Sequence, residues 1–306
     1  MRRPFERFMR AKSRCLNGPD DPRGWFFDRR RLGFVNLEVC PFGIYAPICN
    51  DESDAGRLLA VLAESRHFRV GRISVHLNPL EARAAHIADV ALQHGFAVRK
   101  RQTHLLQIAD SIEQMRQSYH PTKRHQAARS VNSDSVVLLA RSGNHLDDYF
   151  SVYSRALSRW GRSEALYSRE LFEGLIESDA VKLWLNYVNG RLACAMLVLY
   201  CSRFALYWQG VSSVEDDQKK AFPGVRLMDA VVQDLISMSI PCLNLGSSES
   251  LPTVRRFKEE FGAQPVDYVS LAYQSRTWSA LASLRQGLRR IHGPDGEPER
   301  RMEKAS

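Results

Sequence analysis

One lysine in this sequence lies beside a predicted apolar helix face, where an ammonium group could do chemistry. Lys258 belongs to a segment whose apolar spacing predicts a helix. On an ideal helix Val254, Phe257 and Phe261 share one face, and Lys258 lies about 60° from the centre of that face. A cation beside a core-facing stripe, just after the Gly-Ser-Ser turn at 246–248, could hold an anionic or reacting group. The alternative is a lysine whose stem packs while its ammonium reaches water.

Polar residues on two predicted strands add candidate ligands to this lysine. Asn244, Ser247 and Ser248 lie at the end of an apolar run that predicts a short strand, and we take them as candidate cofactor contacts. On the predicted strand 204–210, the two-residue period places Tyr207 and Gln209 on one face. Either could face substrate, although an aromatic residue on a strand more often packs in the core.

The elements that must position these residues alternate between strands and helices. Asn189-Gly190 between two β-prone runs predicts a hairpin. Helices are expected at about 145–160 and 168–178, and a further helix begins near Gly224. The second half of the chain thus reads β-β-β-α-β-α-β, ending in a strand at 266–273. The first half reads as strands at 42–48, 70–77 and 96–108 with helices at about 54–62 and 79–95.

Composition limits the classes of protein to consider. The chain has 306 residues, 44% of them hydrophobic and 25% charged, which is typical of a globular protein. No apolar run is long enough for a membrane helix and no secretory leader is visible, so we expect a cytoplasmic protein. Its six cysteines are scattered, which predicts neither a disulfide framework nor a zinc site. The motifs of P-loop, dinucleotide-binding, zinc-protease and serine-hydrolase enzymes are absent, and His76, His86, His94 and His104 show no metal-ligand spacing.

The segments around Lys258 resemble the FemAB-like branch of the GNAT acyltransferase superfamily. Phe257-Lys258, Phe261-Gly262-Ala263 and Asn244-Leu-Gly-Ser247 are similar to the closing motif of that branch, which includes acetyltransferase-like proteins of polysaccharide and cell-wall gene clusters. The resemblance covers about residues 40–273. It implies an α/β (α+β) protein with a duplicated GNAT (acyl-CoA N-acyltransferase) fold, in which mixed sheets are flanked by helices.

The resemblance also implies roles for individual residues. Lys258 and Phe257 become candidate catalytic residues, with Gln209 beside them and Tyr207 as a substrate contact. Strands 204–210 and 240–245 are expected to diverge, and the helix that begins near Gly224, with Val225 and Arg226 in its first turn, to receive a cofactor pyrophosphate. A basic cluster, Lys123, Arg124 and Arg129, could meet the phosphates of an acceptor, and a solvated helix face is the alternative.

The donor and acceptor remain expectations from that resemblance. We expect acyl-CoA, such as acetyl-CoA, as co-substrate without a metal, although the loop Gln218–Gly224 departs from the glycine-rich pattern of CoA-binding members. Aminoacyl-tRNA is the second donor, but the chain lacks room between residues 160 and 250 for the helical arm of known tRNA-dependent members. The expected acceptor is an amine of a nucleotide- or lipid-linked sugar precursor for the envelope or an exopolysaccharide. The rival hypothesis is a non-catalytic GNAT scaffold that binds an anionic glycan or nucleic acid.

Five segments are expected along the chain. They are a basic, poorly ordered arm at 1–35, a degenerate GNAT-like half at 36–110, a basic connecting helix at 111–142, a GNAT domain at 143–275, and a basic amphipathic helix with a disordered tail at 276–306. The net charge of +9 favours anionic partners, tRNA among them. The last segment could contact an anionic membrane surface, although docking on its own domain is the commoner role of such a helix.

Overall fold

The computed structural model describes most of the chain from residue 70 onward. The described residues are 70–130, 134–140, 145–162, 168–177, 181–201, 203–213, 215–248 and 251–281, the segments 14–15, 25–31 and 34–39, and positions 45, 46, 48, 49, 55, 56, 58, 60, 165 and 283. Predictions for residues 1–13, for Glu249 and for the tail beyond 283 therefore lie outside the described residues.

Among the described residues, eleven strands form one mixed sheet. In chain order they are β1 (Arg14–Cys15), β2 (Trp25–Arg31), β3 (Phe34–Val39), β4 (Val70–His76), β5 (Ala97–Gln107), β6 (Ser135–Ala140), β7 (Val181–Val188), β8 (Arg191–Tyr200), β9 (Ala205–Ser212), β10 (Cys242–Asn244) and β11 (Gln264–Gln274). Their order across the sheet is β1-β2-β3-β4-β11-β5-β10-β9-β8-β7-β6. The last strand of the chain therefore lies between two strands of the first half.

In the described part of the chain, eight helices connect and cover these strands. They are α1 (Ala84–Gln93), α2 (Ile112–Ser118), α3 (Pro121–Ser130), α4 (Leu146–Arg159), α5 (Arg169–Glu177), α6 (Asp216–Lys219), α7 (Pro223–Ser237) and α8 (Pro252–Glu259). Residues 276–281 are also helical, and so are the described positions 55, 56, 58 and 60. No helix among the described residues is both long and apolar enough to cross a membrane.

The two faces of the second-half sheet belong to different helices. Along β8, Leu197 and Leu199 pack in the same core as α4 and α5, whereas Met196 and Val198 pack in the core that α7 covers. We call these the α4 face and the α7 face. Alternating faces of one strand are both apolar because helices cover the sheet on both sides.

Most predicted elements are confirmed. The hairpin turn at Asn189-Gly190 has positive φ at both residues, +50° and +71°, as the predicted turn type requires. The order of elements from β7 to β11 matches the predicted β-β-β-α-β-α-β, apart from the short added helix α6.

Three predictions about organisation are wrong. Residues 25–31 form β2, which pairs with β3, so this part of the arm that was expected to be poorly ordered is a strand. Residues 135–140, taken as part of a connecting helix, form the edge strand β6. The predicted strand at 42–48 is not a strand at its described positions 45, 46 and 48. The last two errors concern short apolar runs, whose pairing partners are distant in sequence and cannot be read from periodicity.

Candidate active site

Strands β9 and β10 diverge near the middle of the sheet. They are parallel and pair only at Leu243 with Ala205 and at Asn244 with Leu206. Beyond that point β9 continues to Ser212 alongside β8, while the chain leaves β10 as an irregular segment at 245–248. We call the opening between them the wedge; along it, β9 pairs with no strand on the side away from β8 among the described residues.

Lys258 directs its ammonium at the segment that leaves β10. Its Nζ donates to the carbonyl oxygens of Gly246 at 2.8 Å and Ser247 at 3.0 Å. The residue is only 3% exposed, so the alternative of an ammonium in bulk water is wrong. Burial lowers the pKa of Lys258 to about 8. Because an ammonium has three N–H donors and two are used here, one remains for a bound group.

The end of α8 explains the Phe-Gly-Ala part of the sequence motif. Gly262 has φ of +87° and donates its N–H to Glu259 O at 2.8 Å, while the N–H of Ala263 reaches Lys258 O at 3.3 Å. A side chain at residue 262 would also approach Ser118 O to 3.1 Å. Glycine is therefore required to end the helix one turn after the lysine.

Asn244 shapes the turn that supplies these carbonyls. Its Oδ1 accepts from the N–H of Gly246 at 2.8 Å and from Thr103 Oγ1 at 2.7 Å. The Thr103 hydroxyl in turn accepts from Tyr45 at 3.2 Å. Asn244, predicted as a cofactor contact, thus uses its oxygen to fix the turn and to tie it to β5.

His104 was missed as a site residue and lies beside Lys258 on the same side of the sheet. Its Nδ1 is 3.2 Å from Ser248 Oγ, and its Nε2 is 3.6 Å from Glu259 Oε1. Burial, and then the nearby Lys258, lowers the pKa of His104 below its usual value. Nε2 has no hydrogen-bond partner among the described residues, so the imidazole contacts the turn at 246–248 through Ser248 and approaches α8 at Glu259. No sequence signal could identify this contact, because Ser248 and His104 are 144 residues apart.

The predicted basic cluster does not gather at the wedge. Lys123 pairs with Glu260 at 3.3 Å and lies over the ring of Phe257 at 5.2 Å. Arg124 donates to the carbonyl oxygens of Gln117 and Tyr119 at 2.8 and 3.2 Å, at the end of α2. These two cations, and the ring of Phe257, thus take part in contacts among α2, α3 and α8.

The start of α7 offers few donors to a pyrophosphate. Pro223 lacks an N–H, and the N–H groups of Val225 and Arg226 are both bonded to Phe222 O at 3.0 and 3.1 Å. Within this turn only the N–H of Gly224 has no acceptor among the described residues. The guanidinium of Arg129 lies 5.4 Å from the centre of the Phe222 ring, so one of the three predicted cations does stand near this helix end.

The predicted shared face of Tyr207 and Gln209 is wrong. Tyr207 pairs with Val198 and Gln209 with Leu197, so Trp208 is an extra residue that makes a β-bulge. Gln209 therefore lies on the α4 face and Tyr207 on the α7 face. The Tyr207 hydroxyl occupies the space that a side chain at residue 210 would need, which explains Gly210. A bulge cannot be read from a two-residue period.

A group of three or more metal-ligating side chains is not found in the part of the chain that the structure describes. The expected use of no metal stays a prediction. The site instead consists of the wedge, a buried lysine, and neutral polar groups around it.

Solved structures show the fold to which this chain is similar. No protein-family model matches the sequence, and no curated protein matches it. The crystal structure of FemX aligns with a TM-score of 0.65 and 11% identity over 87% of this chain and 85% of that one. The C-terminal domain of a lysylphosphatidylglycerol synthetase candidate from Agrobacterium fabrum gives 0.60 and 12%, with coverage of 87% and 85%.

A third similar structure is L-PGS from Bacillus licheniformis, with a TM-score of 0.55, 11% identity and coverage of 95% of this chain and 96% of that one. The chain thus shares its fold with FemX and with the lysylphosphatidylglycerol synthetase domain, in agreement with the fold that the resemblance implies. At these identities the likeness concerns fold, and function has to be argued from the site.

Proposed function

We propose that this protein is an acyltransferase that moves an acyl group from an activated ester or thioester to an amine of an envelope or exopolysaccharide precursor. The observation that carries the proposal is the buried ammonium of Lys258 at the turn where β9 and β10 diverge. The likeness to FemX and to a lysylphosphatidylglycerol synthetase domain supports the same class of chemistry.

For this reaction the protein must hold the amine beside the acyl carbon and stabilise the negative charge that develops on the acyl oxygen. The amine lone pair attacks the acyl carbon, a C–N bond forms, and negative charge develops on the acyl oxygen. The third N–H of Lys258 is suited to stabilise that oxygen, since a fixed donor in a site shielded from water acts strongly on developing charge. The C–O or C–S bond then breaks, and the proton lost by the amine ends on the leaving group. A lysine whose pKa is about 8 can also exchange that proton near neutral pH.

The identity of the donor is a separate question. Acyl-CoA is the donor that the sequence resemblance implies. The start of α7 offers its pyrophosphate few hydrogen-bond donors, because Pro223 has no N–H and the N–H groups of Val225 and Arg226 are already bonded. This observation favours aminoacyl-tRNA as a second candidate donor. Arg129 and the excess of basic residues would serve either polyanion.

A transfer assay with two donors tests the proposal. The purified protein is incubated with acetyl-CoA or with a mixed pool of charged tRNA, using soluble precursor extract as acceptor, and new amides are sought by mass spectrometry. We expect transfer from one donor, and a loss of about a hundredfold or more in Lys258→Ala with a melting temperature within a few degrees of the wild type. Equal turnover in Lys258→Ala, or no amide from either donor, would refute the proposal.

A further inference from the structure

Besides Nε2 of His104, three buried polar groups near the wedge lack a hydrogen-bond partner among the described residues. They are the hydroxyl of Tyr149, Oε1 of Gln209 and Nδ2 of Asn244, which we call the unpaired trio. Tyr149 and Asn244 are fully buried, with 0% exposure. A buried polar group without a partner is costly, so its persistence needs an explanation.

Two members of the unpaired trio lie on the α4 face at the start of the wedge. Asn244 alternates with Leu243 and Leu245, which pack in the core under α7, so its side chain is on the opposite face. Gln209 pairs with Leu197, which packs with α4 and α5. Since Asn244 pairs with Leu206, the two side chains are separated by about three residues of strand, or roughly 10 Å.

The direction of α4 brings Tyr149 to the same place. Arg159, near the end of α4, donates to Ser212 O at 2.8 Å at the end of β9. Tyr149 precedes Arg159 by ten residues, which is about 15 Å along the helix. The same length on β9 is four or five residues before Ser212, so Tyr149 lies near Tyr207 and Trp208. Ring contacts agree, because Phe172 lies 5.5 Å from Tyr149 and 5.5 Å from Trp208.

The trio combines donors and acceptors without a charge. The Asn244 amide orientation is fixed, since its oxygen accepts the N–H of Gly246, and its Nδ2 is therefore a free donor. Gln209 presents an acceptor. Burial, together with Tyr153 and Tyr207, holds the pKa of Tyr149 well above its usual value, so its hydroxyl stays neutral and can donate or accept. Such a set matches a group with an N–H beside an oxygen and is unsuited to a phosphate.

We propose that the unpaired trio is the binding site for the acceptor amine, which it recognises together with a neighbouring hydroxyl or carbonyl oxygen. This inference rests on the proposed function, and it assigns the acceptor to the α4 face while Lys258 acts from the α7 face. The amine then meets the acyl carbon through the wedge between β9 and β10. Two acceptor types share this chemistry, an amino sugar and an amino-acid amide.

The first test uses stability alone. If the Tyr149 hydroxyl has no partner in the free protein, Tyr149→Phe leaves the melting temperature unchanged or raises it. Tyr153→Phe is the matched control, because that residue is equally buried on the same helix and its hydroxyl is not among the unpaired groups. A loss of stability in Tyr149→Phe as large as in Tyr153→Phe would mean that the hydroxyl is already satisfied, for instance by an ordered water, and would overturn the assignment.

The second test is a ligand titration followed by NMR, with the side-chain amides of the protein isotopically labelled. Glucosamine and glycinamide represent the two acceptor types, and inorganic phosphate is the negative control. We expect the Asn244 and Gln209 amide signals to shift with at least one amine and not with phosphate, and Tyr149→Phe to weaken that amine by roughly five- to tenfold. No shift with either amine, or an equal response to phosphate, would overturn the proposal.

Lys258→Ala separates this inference from the proposed function. That variant should bind the amine as the wild type does while losing acyl transfer. If Lys258→Ala binds the amine and retains acyl transfer, the proposed role of Lys258 is refuted and the acceptor site is supported. If transfer depends on Lys258 but no amine touches the trio, the acceptor site fails alone.

Discussion

At the scale of single residues, the position of the Lys258 ammonium is determined by the turn against which it packs. Helical spacing placed the lysine beside the apolar stripe but left open whether its ammonium reached water. The structure resolves the question through two carbonyl oxygens at 2.8 and 3.0 Å. Those acceptors exist because Asn244 and a positive φ of +76° at Gly246 bend the chain after β10. Asn244, the turn after it and Lys258 are therefore joined by direct hydrogen bonds.

His104 should act as a positioning residue for that turn. His104→Asn keeps an acceptor near the Nδ1 position, whereas His104→Leu leaves the Ser248 hydroxyl buried without a partner. We expect His104→Leu to lower acyl transfer by about tenfold with little change in KM, and His104→Asn to retain most of it. Equal loss in both variants would show that the imidazole fills space only.

The same histidine predicts a pH dependence of stability. Because the pKa of His104 is lower in the folded protein than its usual value of 6.5, the unfolded chain binds more protons just below that pH. The stability contribution is therefore fully present above pH 6.5 and is lost as the pH drops below that value. Glu259 reduces the size of this effect, because it raises the pKa of His104. Denaturant unfolding should show a smaller acid-side loss in His104→Asn than in the wild type. Parallel curves for the two proteins would contradict the assignment.

At the scale of elements, a buried ion pair fixes the helices around the site. Asp229 of α7 is 2% exposed and accepts from Arg116 Nη2 at 2.7 Å and from Tyr119 at 3.0 Å, both contributed by the α2 region. Removing one partner leaves a buried charge uncompensated. The pair therefore holds α2 against α7.

We expect Asp229→Ala to lower the free energy of unfolding by about 3 kcal/mol or more. The control is Asp234→Ala on the same helix, whose ion pair with Lys182 is partly exposed, at 21% and 19%, and should cost only about 1 kcal/mol. Urea unfolding of both variants measures the difference. A cost for Asp229→Ala no larger than the control would show that α2 is held by its apolar contacts.

The elements also show what sequence could and could not predict. Long periodic segments such as α4 and α7, and the hairpin at Asn189-Gly190, were predictable because local spacing and turn chemistry specify them. The edge strand β6, the bulge at Trp208 and the contact between His104 and Ser248 were not, because each depends on pairing with residues far away in the chain. The spacing around Lys258 makes it a candidate site residue, and its role stays a prediction; the sequence gives no such signal for Tyr149.

At the scale of the whole molecule, the two halves share one sheet. Strand β11, the last of the chain, pairs with β4 and β5 of the first half, and β5 also pairs with β10 of the second. The carbonyl pair that holds Lys258 is likewise tied to β5, through Thr103 and His104. A site in the second half therefore depends on strands of the first.

This arrangement predicts one cooperative unfolding transition. Leu271→Ala, at a fully buried position of β11, should lower the stability of the whole chain by about 2–5 kcal/mol and keep a single transition in calorimetry. Two separate transitions, with only one of them shifted, would show that the halves unfold independently.

The measurement that tests the central claim most directly is the pH dependence of Lys258 labelling. A small amine-reactive reagent modifies the neutral amine, and peptide mass spectrometry reads the extent of modification at Lys258 and at exposed lysines in the same sample. We predict half-maximal labelling of Lys258 near pH 8, well below that of the exposed lysines, because burial at the wedge lowers its pKa. A midpoint equal to that of the exposed lysines would contradict a buried, poised ammonium and with it the proposed chemistry.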